Sequence, residues 1–174
     1  MSVDYSEKIL TVKDLEVQFN LRGQVLTAIR GISLDIYKGE SLAIVGESGS
    51  GKSVFTKTFM GMLDKNGKVT KGEILYNGMD LAKFSSEKDW LKIRGKEVAM
   101  VFQDPMTSLN PLKTVGKQIQ EALELHQNLH GRAARERTIE ILSDVGITEP
   151  ERRYKQYPHE FSGGMRQRAV IATA

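Results

Sequence analysis

Residues 46–53 read Gly46-Glu47-Ser48-Gly49-Ser50-Gly51-Lys52-Ser53, which fits the phosphate-binding loop pattern of glycine, any four residues, glycine, lysine and serine. In such a loop the backbone N–H groups curl around phosphate oxygens, and the start of the following helix adds partial positive charge. Lys52 would contact the terminal phosphates, and the Ser53 hydroxyl would complete the coordination of Mg²⁺. The pattern therefore predicts a nucleotide site, with an ordinary glycine-rich turn as the alternative.

The flanks of the loop supply the strand-loop-helix context that a phosphate site needs. Residues 42–45 form an unbroken apolar run, which predicts a strand covered on both faces. The apolar residues after the loop recur at the offsets of one helix face: Phe55, Phe59, Met62 and Leu63. This spacing predicts a helix directly after the loop.

Further strands are predicted on both sides of the loop. Apolar side chains stand at every second position over residues 15–19 and again over 32–36, the period of half-buried, antiparallel strands. Residues 73–76 predict a strand that enters a tight turn at Asn77-Gly78. The apolar run 98–102 predicts another buried strand.

Helices are predicted between and beyond these strands. Ser86, with Asp89 three residues later, can cap a short helix that runs to Ile93. A loop with two prolines over residues 104–111 then leads into two segments of helical spacing. The apolar residues of these two segments are Val115, Ile119 and Leu123, and then Ile139, Leu142 and Val145.

Composition narrows the class of protein. Of the 174 residues, 40% are hydrophobic and 27% are charged, the balance of a soluble globular domain. The net charge of +3 is too small to indicate nucleic acid as a partner. No apolar stretch approaches the roughly 18 to 20 residues needed to cross a bilayer, and no secretory signal precedes the first strand. The chain has no cysteine, which excludes disulfides and thiolate sites and fits a cytosolic location.

A second glycine-rich helix start lies at residues 161–168, Phe-Ser-Gly-Gly-Met-Arg-Gln-Arg. Ser162 can cap a helix whose first residues, Gly163 and Gly164, leave their N–H groups exposed. Alone this pattern fits a plain helix cap equally well. Together with residues 46–53, it gives the chain two helix starts suited to phosphate.

The pair of motifs resembles the ATP-binding cassette (ABC) subunits. Residues 162–168 are similar to the family signature, and Gln103 resembles the glutamine between the core and the helical subdomain. The resemblance covers essentially the whole chain. Val54 after the loop, the run 102–111 and residues 157–160 are similar to oligopeptide and dipeptide importers, which use two non-identical ATPase subunits.

The resemblance implies a role for each matching residue. Phe19 would stack on adenine, although the residue alone fits a core aromatic at a strand end. Gln103 and Lys52 would act in catalysis, and Ser53 and Gln103 would hold Mg²⁺. The phosphates would be held by Gly46, Glu47, Ser48, Gly49, Ser50, Gly51, Lys52, Ser53 and Val54. Ser162, Gly163 and Gly164 would clasp the γ-phosphate bound to the opposite subunit. We interpret His159 as holding a turn rather than acting as a general base.

The implied fold is an α/β phosphate-loop core with an antiparallel β region and an inserted α-helical subdomain. We expect the nucleotide-binding core at residues 1–103, the helical subdomain at 104–160 and the signature at 161–174. The family's metal aspartate, its adjacent glutamate and its switch histidine do not occur in the 174 residues, so the sequence resembles a subunit truncated before the Walker B strand. We therefore expect weak ATP binding, very slow hydrolysis and an open sheet edge prone to aggregation.

The implied function is the ATP-binding subunit of an importer of di- or oligopeptides, with ATP and Mg²⁺ as cofactors. Its expected partners are a second ATP-binding subunit, transmembrane permease subunits and, indirectly, an extracytoplasmic solute-binding protein. The expected location is the cytoplasmic face of the cell membrane. The alternatives are a soluble ABC-type ATPase of DNA repair or translation and a nucleotide-binding fragment without turnover.

Overall fold

The computed structural model describes residues 3–102 and 108–174 of the chain. The chain divides into two compact units, Met1–Leu91 and Lys92–Ala174. The domain boundaries expected at residues 103 and 160 stay predictions. No helix in the described ranges is both long and apolar enough to span a membrane.

The first unit is built on a four-stranded antiparallel sheet with the order β2-β1-β3-β4. The strands are β1 (Asp4–Leu21), β2 (Gln24–Lys38), β3 (Gly67–Tyr76) and β4 (Met79–Asp80). The predicted antiparallel pair before the loop is confirmed, since Leu15 pairs with Ile32 and Val17 with Ile29. Leu15 and Val17 are fully buried, which explains why alternation in β1 was readable from the sequence.

Two tight turns connect neighbouring strands of this sheet. Arg22 and Gly23 join β1 to β2, and Asn77 and Gly78 join β3 to β4. All four residues have positive φ, from 47° at Asn77 to 87° at Gly23. Two-residue turns of this kind match the twist of the flanking strands, so the turn predicted at Asn77-Gly78 is confirmed.

The helices of the first unit are short. They are α1 (Lys52–Thr58), a 3-10 helix (Leu81–Lys83) and α2 (Glu87–Trp90). Phe55 is buried as predicted, but α1 ends before Met62, which is 38% exposed. The Asp89 carboxylate accepts from the Ser86 N–H at 3.2 Å and from its hydroxyl at 2.8 Å. The predicted cap is confirmed, while the helix stops at Trp90 rather than Ile93.

The two predicted buried strands at 42–45 and 98–102 are wrong. Neither run is a strand among the described residues, apart from one isolated bridge between Arg94 and Val98. Val45 is 88% exposed and Phe102 is 42% exposed. An apolar run becomes a strand only where a neighbouring strand pairs with its backbone groups, and the described residues offer these runs no such neighbour.

The second unit is helical, as the spacing predicted. Its helices are α3 (Val115–Gln127), α4 (Gly131–Asp144), α5 (Pro150–Tyr154), a 3-10 helix (Pro158–Glu160) and α6 (Gly163–Thr173). Val115, Ile119 and Leu142 are fully buried in its core. Phe161 and Ala169 join the same core, so the start of α6 is anchored by packing on both sides of Ser162.

Candidate functional site

The loop at residues 46–53 turns sharply into α1. Gly49 has a φ of 82° and Gly51, the residue before the helix, has a φ of 92°. A Cβ at Gly51 would lie 2.9 Å from the Ala28 carbonyl oxygen and 2.9 Å from Ile29 Cδ1. Gly51 is therefore required both by its backbone angle and by its close approach to β2.

The Lys52 side chain is held inside the loop. Its ammonium donates to the Gly46 carbonyl at 2.8 Å, to the Glu47 carbonyl at 2.7 Å and to the Ser50 hydroxyl at 3.3 Å. A Cβ at Gly46 would lie 2.8 Å from the Ser50 hydroxyl oxygen, so Gly46 also keeps the loop narrow. The Lys52 ammonium is thus held by oxygens of its own loop, and a bound anion would replace these oxygens as its partner.

A cavity of about 400 Å³ joins this loop to the β1–β2 hairpin. Phe19, Leu21 and Leu26 form its apolar side, and it is also lined by Gly49, Gly51, Lys52 and Ser53 of the loop. Leu21 and Leu26 are about half exposed, at 47% and 50%. Among the described residues the lining consists of Phe19, Leu21, Leu26, Ala28, Gly49, Gly51, Lys52, Ser53, Val54, Asp64 and Asn66.

The position of Phe19 depends on strand β3. Phe19 pairs with Gly67 in the sheet, and a Cβ on Gly67 would lie 2.5 Å from Phe19 Cε1 and 2.9 Å from Phe19 Cζ. The ring therefore lies directly against the Gly67 backbone. Phe19 is half-buried and lines the cavity, so it is not enclosed as the core aromatic of the alternative interpretation.

The start of α6 is capped but otherwise open. The Ser162 hydroxyl accepts from the Met165 N–H at 3.3 Å. Gly163 and Gly164 are exposed, and among the described residues no atom lies within 4 Å of a Cβ placed on either. Neither has a positive φ. Nothing inside the described chain requires glycine at these two positions, so their smallness leaves the N–H groups accessible from outside.

The turn before Ser162 is held from within the second unit. Arg166 Nε donates to the Pro158 carbonyl at 2.8 Å and to the Phe161 carbonyl at 3.0 Å. His159 is exposed in this 3-10 turn and stacks on Tyr157, with ring centroids 5.7 Å apart. The bonds of Arg166 hold the turn at the start of α6, and the stacking on Tyr157 makes His159 part of this turn.

The fit to Mg²⁺ rests on the hydroxyl of Ser53, a residue that lines the cavity together with Lys52. In the described part of the chain, no group of three or more histidine and carboxylate side chains is placed to hold a metal ion. Mg²⁺ often takes only one or two protein ligands together with phosphate oxygens and waters, so a single hydroxyl fits an ion that arrives with a polyphosphate. Gln103, the other predicted metal ligand, lies outside the described residues, as do positions 104–107 of the loop that follows it.

Sequence reasoning missed Asp64 and Asn66, which also line the cavity. They follow α1 in an exposed turn, and no motif marks them. Leu21 and Leu26 were missed as well. In the sequence these two leucines flank a tight turn, but this pattern does not predict that they line a cavity together with residues of the loop.

Comparison with known proteins gives consistent results. A family model described as ABC transporter matches residues 29–174. The oligopeptide transport ATP-binding protein AmiE of Streptococcus pneumoniae is 55% identical over 166 residues, which cover 95% of this chain and 47% of that protein. The dipeptide transport ATP-binding protein DppD of Bacillus subtilis is 53% identical over 169 residues, which cover 97% of this chain and 50% of that protein.

Among solved structures, the dimeric ATP-binding cassette MJ0796, in a post-hydrolysis state bound to ADP and Pi, has a TM-score of 0.80 and 28% identity. The alignment covers 94% of this chain and 68% of that one. This likeness confirms the predicted cassette fold class. The chain spans about half the length of the curated relatives it matches.

Proposed function

The chain belongs to the ABC transporter family, and from that premise we propose that it binds ATP with Mg²⁺ and couples ATP hydrolysis to the import of di- or oligopeptides. One observation carries the nucleotide part of the proposal. Phe19 lines the same cavity of about 400 Å³ as four residues of the loop, Gly49, Gly51, Lys52 and Ser53, although Phe19 lies far from the loop in the sequence. A stacking surface joined to an anion site fits a nucleoside triphosphate.

Each group of the cavity has a role in holding ATP. The Phe19 ring, backed by Gly67, stacks on adenine between the two leucines of the hairpin. The N–H groups of residues 46–51 and the Lys52 ammonium hold the phosphates, with Lys52 exchanging its bonds to loop oxygens for bonds to phosphate oxygens. The Ser53 hydroxyl takes one coordination position of Mg²⁺, which neutralises charge on the phosphates. Gln103 contacts the metal and the attacking water, as the family resemblance implies.

The start of α6 serves the ATP bound to a second ATP-binding subunit. Its two glycines have no reason to be small inside the described chain, which supports contact with a ligand from outside. The Ser162 hydroxyl and the N–H groups of Gly163 and Gly164 then clasp the γ-phosphate of the facing subunit. ATP favours the closed pair by these contacts, and hydrolysis removes them.

A role in peptide import also implies partners other than the second ATP-binding subunit. Transmembrane permease subunits would dock against the chain near the loop that follows Gln103, on the cytoplasmic face of the membrane. An extracytoplasmic solute-binding protein would deliver the peptide to those subunits. The names of AmiE and DppD, at 55% and 53% identity, support peptides as the solute class.

ATP affinity tests the nucleotide part of the proposal. Equilibrium dialysis with the chain and Mg²⁺-ATP compares the wild type with Lys52→Ala and with Lys57→Ala. Lys57 lies in the same helix but does not line the cavity, so it controls for the loss of a lysine from α1. We expect Lys52→Ala to weaken ATP binding about ten- to a hundred-fold, the worth of a charge-assisted hydrogen bond, and Lys57→Ala to leave it unchanged.

Equal ATP affinity in the wild type and Lys52→Ala would contradict the proposal. The transport part is tested separately by measuring uptake of a labelled tripeptide into cells with and without Lys52→Ala in the chromosomal copy. Loss of uptake supports peptide import, and unchanged uptake together with lost ATP binding would favour the soluble ABC-type ATPase instead.

A further inference from the structure

The pairing of β1 with β3 ends at the aromatic residue that lines the cavity. Phe19 of β1 pairs with Gly67, the first residue of β3, and this is the last pair between the two strands. A strand pair frays most readily at its end, because the terminal residues have a paired neighbour on one side only. Since Phe19 is only half-buried, packing holds its ring less firmly than it would hold an aromatic ring in the core.

Two hydrogen bonds close this end of the strand pair from outside β3. The Asn20 N–H donates to the Asn66 carbonyl at 2.9 Å, and Asn66 Nδ2 donates to the Asn20 carbonyl at 3.1 Å. Both backbone groups of the residue after Phe19 are therefore bonded to a single residue of the turn that precedes β3. The turn itself is closed, because the Gly67 N–H donates to the Asp64 carbonyl at 2.7 Å.

The Asn66 side chain supplies the second of these two bonds. The first bond uses the backbone carbonyl, which every residue type has, whereas the second needs a side chain that carries a donor. It lies one residue beyond Phe19 and one residue before Gly67, and the ring lies against the Gly67 backbone: a Cβ on Gly67 would be 2.5 Å from Phe19 Cε1. Loss of this bond therefore loosens the two segments that hold the ring.

We propose that Asn66 is a positioning residue for the base of the bound nucleotide. Its side-chain bond to Asn20 holds the Phe19 ring against Gly67, in the place where the ring stacks on the base. Asn66 acts through Phe19 and not through a contact of its own with the nucleotide. This inference rests on the proposed ATP-binding function and adds to it a residue that belongs to neither sequence motif.

The test is a double-mutant cycle between Asn66→Ala and Phe19→Ala, with the affinities for ATP and for inorganic tripolyphosphate measured by equilibrium dialysis. Tripolyphosphate has no base, so it reports on the phosphate loop alone. Gln18→Ala is the matched control, because it also removes a bond donated by a side-chain amide, to the Glu16 carboxylate at 2.9 Å, one residue before Phe19. Gln18 is not among the described residues that line the cavity.

The inference predicts a distinct result for each variant. We expect Asn66→Ala to lower ATP affinity about two- to four-fold, the range of one exposed hydrogen bond, and to leave tripolyphosphate affinity unchanged. Phe19→Ala lowers ATP affinity further, because the whole stacking surface is lost. In the Phe19→Ala background Asn66→Ala has no additional effect, since two changes that act through one contact are not additive. Gln18→Ala leaves both affinities at their wild-type values.

Four results would overturn the inference while leaving ATP binding in place. They are an unchanged ATP affinity in Asn66→Ala, an equal loss with and without the Phe19 ring, a parallel loss of tripolyphosphate affinity, and an equal loss of ATP affinity in Gln18→Ala. The second result would show that Asn66 contacts the nucleotide itself, and the third that the substitution disturbs the phosphate loop. Failure of the wild type to bind ATP would overturn the proposed function, and the inference with it.

Discussion

The two glycine-rich helix starts differ in what surrounds them. At the start of α1, Gly51 is pressed against β2, and the Lys52 ammonium is held by three oxygens of its own loop. At the start of α6, Gly163 and Gly164 face open space among the described residues, and the Ser162 hydroxyl caps the helix by accepting from the Met165 N–H. At the start of α1 glycine is thus required by contacts within the chain, whereas at the start of α6 such contacts do not require it.

This difference teaches how to interpret a glycine in a motif. Where a Cβ would collide with the same chain, the glycine maintains the fold. Where a Cβ would meet nothing and the backbone angle is ordinary, the reason for glycine lies in another molecule. Substitutions at the two helix starts should therefore separate effects on folding from effects on binding.

Gly51→Ala should give the largest effect on folding. The change forces a φ of 92° on alanine and brings its Cβ to 2.9 Å from the Ala28 carbonyl oxygen. We expect the free energy of unfolding to fall by about 2 to 4 kcal/mol, measured by urea denaturation. Gly49→Ala is the matched control, because Gly49 has a φ of 82° but a Cβ there would meet no neighbouring atom within 4 Å in the described part of the chain. Its cost should be about 1 kcal/mol, and equal costs at the two positions would contradict the packing argument.

Ser162→Ala should destabilise the second unit by a smaller amount. The change removes the hydroxyl that accepts from the Met165 N–H at 3.3 Å and caps α6. We expect a loss of about 1 kcal/mol in the same denaturation experiment. Ser162→Asp keeps a capping oxygen and should recover most of that loss, so a stability of Ser162→Asp no better than that of Ser162→Ala would argue against the cap.

Gly67→Ala should weaken binding of the base without changing binding of the phosphates. The new methyl group would displace the Phe19 ring, which lies 2.5 Å from that Cβ position at its nearest atom. We expect ATP affinity to fall about three-fold, since part of one aromatic contact is lost, while tripolyphosphate affinity stays unchanged. A loss of both affinities together would show that the substitution disturbs the whole cavity.

Gly163→Ala should have the smallest effect on folding and a separate effect on function. The alanine methyl group meets no neighbouring atom of residues 3–102 and 108–174, and alanine favours the helix, so the free energy of unfolding should change by less than about 0.5 kcal/mol. In the assembled transporter that we propose, the same methyl group would obstruct the facing nucleotide. Tripeptide uptake should then fall while folding is unaffected, and normal uptake would contradict an intermolecular reason for this glycine.

The sequence predicted the parts of the fold that local patterns encode. Alternation at Leu15 and Val17 indicated β1 because both side chains are fully buried on one face of that strand. Asn77-Gly78 indicated the turn between β3 and β4 because positive φ restricts the choice of residue. The runs 42–45 and 98–102 misled because apolar composition shows a tendency to be buried but does not supply a pairing partner.

The candidate site was predictable only in part, for a related reason. The loop at 46–53 is a contiguous motif, so it was found directly, and Phe19 was named through the family resemblance. Asp64 and Asn66 line the cavity with Phe19 because their turn leads into β3, which pairs with β1, and no local pattern in the sequence predicts that pairing. Tertiary contacts between distant segments decide this part of the site.

The most direct test of the shared cavity is photochemical labelling of the chain with 8-azido-ATP, followed by peptide mapping. We predict that the label attaches to peptides containing Phe19 or the turn at residues 64–67. Excess ATP and the Lys52→Ala substitution should each remove it, because the base reaches Phe19 only when the loop holds the phosphates. Label elsewhere in the chain, or label at Phe19 that survives both treatments, would contradict a single cavity for base and phosphates.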